Sequence, residues 1–367
     1  MRPVKLLRLA APLLVVSTMA AACSSGSSSS VSSSGAASGA SASGPATTLA
    51  KVTGTLTGSG STFQQPFDEA AITAFEALEP GATVNYQGKG SGGGQTDLSN
   101  QVVDFAASDV AETASQLPSN KGGAILYFPI VLGPITVSYN LSGVGKLQLS
   151  GSTIAKIFSE KITTWNDPAI AADNPGVTLP STSITVVHRS DSSGTTANFT
   201  KYLTLVDPTD WTLGSSKTIN WAANTVAGNG NTGVASAIKA ENGAIGYVDF
   251  SDAQASDLTW AKVKNAAGNF VDATLAGASA AAADATVSPN LTYNPINAPG
   301  ATDYPITSPT YIITYASYPS ANTVALLQAF LTYILGSAGQ GLAATNGFAA
   351  LPPSLDAQAL AQVAKIS

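Results

Sequence analysis

The chain has 367 residues, 44% hydrophobic and only 10% charged, with 34 glycines and 20 prolines, which is enough for two ordinary domains rich in turns. Its net charge is −6 and it has no basic run, which excludes tracking of a nucleic-acid backbone and means that a bound anion is held by local geometry rather than by a general positive field. One cysteine, Cys23, and one histidine, His188, leave no disulfide and no cysteine metal site, and a Ser-His-Asp triad only if His188 serves it.

Residues 1–22 read as a secretory signal. Arg2, Lys5 and Arg8 form a basic start, Leu9 to Val16 an apolar core too short to span a membrane, and Ala20-Ala21-Ala22 a small-residue run before Cys23. Small residues directly before a lone cysteine resemble a bacterial lipoprotein cleavage box, although Ala20 stands where such boxes usually carry Leu. Cys23 is the expected lipidation site, against the alternative of an ordinary signal with an incidental thiol. Residues 23–50 are a serine-dominated, uncharged tether that cannot bury a core. A flexible coil of this kind spans roughly 25–30 Å on average.

The folded body begins near Lys51. Thr55-Leu56-Thr57 reads as a strand and Gly58 to Phe63 as a glycine-rich turn. Phe67, Ala71, Ala74, Phe75 and Leu78 form one apolar face of a helix that ends at Pro80-Gly81. Val84 to Gln87 is the next strand, Gly88 to Gly94 a second Gly/Ser turn, and a helix runs from about Gly94 to Asn100. Val102 to Asp109 is a strand ending in a polar pair. Strand, Gly/Ser turn and helix, repeated, give an α/β fold with a mostly parallel sheet and put each turn at a strand's C-terminal edge.

Ala124 to Tyr139, with Pro129, Gly133 and Pro134, is a long apolar run suited to carrying the chain into a second domain. Ser152 to Trp165 reads as a helix and turn. Ile184 to Val187 is a buried strand, and Phe199, Tyr202 and Leu203 mark the helix that follows it. Gly228 to Gly233 reads as a loop before a helix Val234–Lys239, Gly243 to Val248 as a core strand, and the alanine-rich 274–286 as helical. Tyr304 to Thr307 and Tyr311 to Tyr315 form a return strand, and helices at Leu326–Leu335 and Leu355–Val363 close the chain.

Most of the chemistry lies in His188 to Thr196, a strand-to-helix turn with Ser193 or Gly194 near the N-cap. The first N–H groups of a helix have no internal partner and the dipole leaves that end partly positive, so hydroxyls and a glycine admit an anion. Arg189 adds a planar guanidinium suited to a tetrahedral oxyanion. A plain capped helix with a surface Arg–Asp pair is the other reading. The turns Ser61-Thr62-Phe63 and Ser91 have the same character, with tight helix-on-sheet packing as their alternative. Arg189 and Asp109 are taken to end neighbouring strands. A carboxylate in an anion site is repulsive unless the anion brings a proton, as phosphate does at neutral pH and sulfate does not. Asp109 therefore reads either as that acceptor or as an ordinary turn-forming Asp.

At this point the chain resembles the extracytoplasmic phosphate-binding proteins of the bacterial ABC phosphate importer, over most of residues 55–315 and more weakly beyond. The resemblance lies in Gly58-x-Gly60-x-Thr62-Phe63, in Val84-Asn85-Tyr86-Gln87-Gly88-x-Gly90-Ser91-x-Gly93-Gly94, in Val103-Asp104-Phe105-x-Ala107-Ser108-Asp109 and in Arg189-x-Asp191-x-Ser193-Gly194-Thr195. Lys161-Ile162-x-x-Trp165-Asn166-Asp167, Gly243 to Val248 and Pro305-Ile306-Thr307 are further landmarks. Ala106, often Gly in relatives, and His188, Arg in some, are the departures.

By position, the resemblance implies that Thr62, Phe63 (through its N–H), Ser91, Asp109, Arg189, Ser193, Gly194 and Thr195 bind phosphate. Asp109 takes the phosphate proton, Asp191 holds Arg189, and Ser61 supports the first loop. It implies a type II periplasmic-binding-protein fold with a ligand cleft between two α/β domains, 51–130 with 303–367 and 131–302, joined by two crossing hinge segments. It further implies a non-enzymatic, monomeric receptor with no cofactor or metal, on the outer face of the cell membrane by its lipid alone. Its partners are inorganic phosphate and the transmembrane subunits of an ABC permease with their ATPase, and nucleic acid is not among them. The alternatives are a receptor for another tetrahedral oxyanion and a secreted phosphatase using Ser193.

Overall fold

The computed structural model describes residues 51–367. The signal, Cys23 and the tether, with the lipidation expectation, lie outside the described residues. The body opens with β1 (Gly54–Gly60), α1 (Gln65–Leu78), β2 (Ala82–Gly88), α2 (Ser91–Ser99) and β3 (Phe105–Ser108). The single long strand β4 (Ile125–Tyr139) follows, then β5 (Gln148–Leu149), α3 (Gly151–Phe158), α4 (Pro168–Asp173), β6 (Thr185–Arg189), α5 (Gly194–Val206), β7 (Val226–Gly228), α6 (Gly230–Ala240) and β8 (Ala244–Asp249). The rest is α7 (Phe250–Ala255), β9 (Thr259–Trp260), β10 (Lys262–Lys264), β11 (Phe270–Val271), α8 (Leu275–Ala283), β12 (Thr307–Tyr315), α9 (Ala321–Leu335), α10 (Ser337–Gln340) and α11 (Pro353–Gln362).

One sheet runs β2-β1-β3-β12-β4-β8-β6-β7, with β9 also on β4. The pairs β1–β2, β1–β3, β6–β7 and β6–β8 are parallel, whereas β12 lies antiparallel between β3 and β4. Along β4, residues up to Pro134 pair with β12 and Ile135 to Tyr139 pair with β8. One strand is thus shared by both halves of the sheet. This corrects one expectation: β3 and β6, which lead into Asp109 and Arg189, are not neighbours but have β12, β4 and β8 between them. Their C-terminal ends still converge, because β3 runs along the first half of β4 and β6 runs in the opposite direction along its second half, so both point toward the middle of β4. Asn198 of α5, the helix after β6, donates through Nδ2 to Asp109 O at 2.9 Å.

The apolar spacing of α1 buries Phe67, Ala71 and Phe75 on one face. Phe75 meets Phe330 of α9 edge-on at 5.3 Å, and Phe330 reaches Phe105 of β3 at 5.9 Å. Each such fully buried ring contributes roughly 1.5–3 kcal/mol relative to exposure. A second aromatic stack, Phe158–Phe199–Tyr247 with Trp221, packs α5 onto β8.

Three boundaries differ from the sequence reading. The second helix starts at Ser91 rather than Gly94, because Gly90 turns the chain at φ 76° and the glycines after it are packing positions. A Cβ on Gly92 would lie 2.0 Å from Ser192 Oγ and one on Gly94 2.4 Å from Ser59 O. Val102 and Val103 lie before β3, since Gln101 turns at φ 59° and Val102 is 64% exposed. Finally, α6 begins at Gly230, so residues read as loop form its first turn.

Candidate anion-binding site

Three helix starts and two strand ends meet at one place. At the first loop, Ser61 N donates to Ala107 O at 2.8 Å and Tyr86 Oη to Ser61 O at 2.6 Å, fixing the turn after β1. Ser61 Oγ accepts from Phe63 N at 3.0 Å and from Gln64 N at 3.3 Å, and donates to Asp109 Oδ1. The Phe63 N–H assigned to the anion is therefore already engaged by Ser61. The Phe63 ring, fully buried against Phe348 at 5.8 Å, anchors the loop. Thr62 is half-buried, with Oγ1 facing the opposite half of the site.

At the second loop, Ser91 opens α2. Its Oγ donates to Asp109 Oδ2 at 3.2 Å and accepts from Asp109 N at 3.1 Å. Asp109, 2% exposed, is thus held from both sides by serines. Burial pushes its carboxyl up to about 6, against the opposing effects of the Ser61 bond, the Arg189 charge and the Ser91 bond. This makes it a proton acceptor poised near neutrality in a site otherwise built of donors.

At the third loop, Arg189 is 4% exposed. Its Nε donates to Asp191 Oδ1 at 2.7 Å, Nη2 to Asp191 Oδ2, and Nη1 to Thr195 Oγ1 at 3.3 Å. Burial opposes ionisation of Asp191, but the bonds and charge of Arg189 and the Gly230 N–H outweigh it and hold the carboxyl below its ordinary value. Ser193 is the N-cap, its Oγ accepting from Thr196 N at 3.1 Å, which leaves its own proton to donate. Gly194 and Thr195 occupy the first helical positions, whose N–H groups have no partner within a helix. A Cβ on Gly194 would lie 2.4 Å from Ser91 Oγ and 2.6 Å from Asp109 Oδ2, so only glycine lets the two helix starts come this close. His188 stands aside, stacked on Trp221 at 4.8 Å with Nδ1 against Arg189 O at 2.9 Å.

A model of the PBP superfamily domain matches residues 45–338. The phosphate-binding protein PstS 3 of Mycobacterium tuberculosis is 38% identical over 311 residues, covering 81% of this chain and 83% of its own length. PstS of Pasteurella multocida is 39% identical over 265 residues, covering 71% and 75%. The chain belongs to the PstS family of periplasmic binding proteins. A solved high-affinity periplasmic phosphate-binding protein bound with phosphate superposes with a TM-score of 0.69 at 25% identity, covering 85% of this chain and 94% of its own. A substrate-binding protein from Clostridium perfringens shares the fold, with a TM-score of 0.62 at 19% identity over 82% and 100% of the two chains.

Within this PstS-type framework the structure brings Ser61, Thr62, Ser91, Asp109, Arg189, Asp191, Ser193, Gly194 and Thr195 together. Three further residues at or beside the site are not singled out from sequence: Asn231, Lys217 and Gln95. Asn231, in the first turn of α6, places Nδ2 3.3 Å from Thr62 Oγ1 and 3.5 Å from Thr195 Oγ1. The signal for it was Asn229-Gly230-Asn231 just before the helical spacing of Val234, Ala235 and Ile238. Lys217 accepts from Ser193 N through its carbonyl at 2.9 Å, and its Nζ donates to Gln95 Oε1. Gln95 in turn donates to Ser108 Oγ at 3.1 Å and Val110 O at 3.0 Å, on either side of Asp109. Nothing in the local pattern around Lys217 marks it.

Proposed function

We propose that this protein binds inorganic phosphate outside the cell membrane and delivers it to an ABC-type import permease, acting as a receptor and not as an enzyme. The observation that carries this is Asp109, a buried carboxylate inside a cluster of donors. Only an oxyanion bearing a proton satisfies both the donors and this acceptor. Thr62, Ser91, Arg189, Ser193, Gly194 and Thr195 supply donors, Asp191 orients Arg189, and Ser61 holds Asp109 and the first loop. The relatives' names, which are those of phosphate-binding proteins, support the same reading.

In this reading the body has two lobes, 51–130 with 303–367 and 131–302. The partner change of β4 at Pro134 and Ile135, beside β12, supports a hinge at those two crossing strands. Phosphate favours the closed form because closure brings Arg189 and Ser193 onto an anion held by Thr62 and Ser91. Cys23 carries the lipid, and the monomeric body reaches its permease on the serine-rich tether.

The test is calorimetric titration of phosphate into ligand-stripped protein, with sulfate as competitor, in wild type and Asp109→Asn. Tight phosphate binding unmoved by excess sulfate, with discrimination lost in the variant, is expected. Equal competition by sulfate in the wild type refutes the role of Asp109, and no phosphate binding refutes the receptor.

A further inference from the structure

Asn231 has a feature that the ligand set leaves unexplained. It is fully buried, yet its Oδ1 has no hydrogen-bond partner. Its amide is engaged through Nδ2 alone. Its Nδ2 faces Thr62 Oγ1 and Thr195 Oγ1, two hydroxyls from opposite halves of the site, at 3.3 and 3.5 Å. Arg189 Nη1 also donates to Thr195 Oγ1 at 3.3 Å. Among the described residues neither hydroxyl donates to a protein acceptor.

A hydroxyl has one proton and two lone-pair positions. An N–H that donates into the oxygen occupies a lone pair and turns the proton elsewhere. Thr195 Oγ1, with Asn231 and Arg189 both donating into it, keeps only its proton to offer, and Thr62 Oγ1 has one lone pair taken and its proton unspent. The asparagine amide, which cannot titrate, does this without adding charge beside the anion.

We propose that Asn231 is a positioning residue that turns the protons of Thr62 and Thr195 toward the bound phosphate. Both hydroxyls then act only as donors, and Asp109 is left as the one acceptor for a phosphate proton. The site therefore favours singly protonated phosphate over the doubly protonated ion, whose second P–OH meets donors alone. This inference rests on the phosphate reading of the same site and deepens it.

The experiment is calorimetric phosphate titration into wild type, Asn231→Ala and Asn231→Asp between pH 5 and pH 8.5, with thermal melts as a folding control. The charged groups facing the position are Arg189 and Asp191 from the β6–α5 turn, Asp109 beyond β3, and Glu69 and Asp252 at the rim beside Thr62. All of them are retained, so differences between variants isolate the amide. Without it the hydroxyls rotate and can accept. Asn231→Ala is expected to lose about 10-fold in affinity at pH 8.5 and under about 3-fold at pH 5. Asn231→Asp, equal in size but accepting where Asn donates, is expected to lose more than about 100-fold at pH 8.5 and to recover as its carboxylate protonates. A loss in Asn231→Ala that is uniform with pH, or no loss at all, overturns the proposal. Wild-type protein that takes up no phosphate overturns the functional reading itself, a failure visible before any substitution is compared.

Discussion

Replacing Asp109 by Asn is expected to weaken phosphate binding and, in the ligand-free protein, to strengthen the fold. Burial raises the Asp109 carboxyl from 3.8 to about 6. Between those values the folded chain holds a proton that the unfolded chain has released. Stability therefore falls as pH rises from about 4 to about 6, and the full cost persists above that. A separation of this size corresponds to about 3 kcal/mol. Asparagine has no charge to desolvate and keeps an oxygen for the Ser61 hydroxyl. It turns an NH2 toward Ser91, however, whose proton must reverse, which returns about 1 kcal/mol. The net expectation at pH 8 without phosphate is a gain of about 2 kcal/mol, or about 3 °C in Tm for a body of this size. The assay is thermal or urea unfolding of phosphate-stripped wild type and variant from pH 4 to pH 8. The gain should shrink as pH falls, because the wild-type carboxyl becomes neutral, and saturating phosphate should reverse the order of the two proteins. A variant less stable than wild type at pH 8, or a gain independent of pH, would refute the idea that this carboxylate is kept at a cost to the fold.

Three further substitutions probe the site. Gly194→Ala places a methyl 2.4 Å from Ser91 Oγ and 2.6 Å from Asp109 Oδ2, and should cost at least about 100-fold in phosphate affinity and also lower the ligand-free melting temperature, read by calorimetry beside melts; an affinity within threefold of wild type would show that the close approach is not needed. Arg189→Lys keeps the charge but loses the fork that grips Asp191 and reaches Thr195, and a loss of about 100-fold or more is expected; an affinity within threefold of wild type would show the fork to be dispensable. Lys217→Met removes the tie to Gln95 and should speed phosphate release by about 3–10-fold in stopped-flow measurements with the association rate little changed.

Much of the site was legible because its chemistry is local. A strand, a Gly/Ser turn and a helix start supply free N–H groups wherever they occur, and Ser193 and Gly194 stand where the pattern put them. Strand order was not legible: the ends of β3 and β6 meet by way of three intervening strands, and that is set by long-range pairing. Helix starts were misjudged at Ser91 and Gly230 for one reason. Glycine has low helix propensity, so a glycine-rich run reads as loop. In the fold, the missing side chains at Gly92 and Gly94 are what allow Ser192 and the β1 backbone to approach. The same misjudgement hid Asn231. The carried-over role of the Phe63 N–H met a competitor, the Ser61 hydroxyl two residues away, that a motif match does not weigh.

The position of β12 bears on how the protein is made. This strand is drawn from residues 307–315, yet it lies in the interior of the sheet between β3 and β4. Until it arrives, both of those strands present open edges, and the sheet is two fragments that share no ladder. Pairing over separations of about 200 residues closes large loops before any contact rewards them, so folding should be slow and should wait for the late part of the chain. For a chain exported as proposed above this ordering is useful. A chain that cannot complete its sheet early stays threadable during translocation, and the cost is a period in which unpaired edges must be kept from one another.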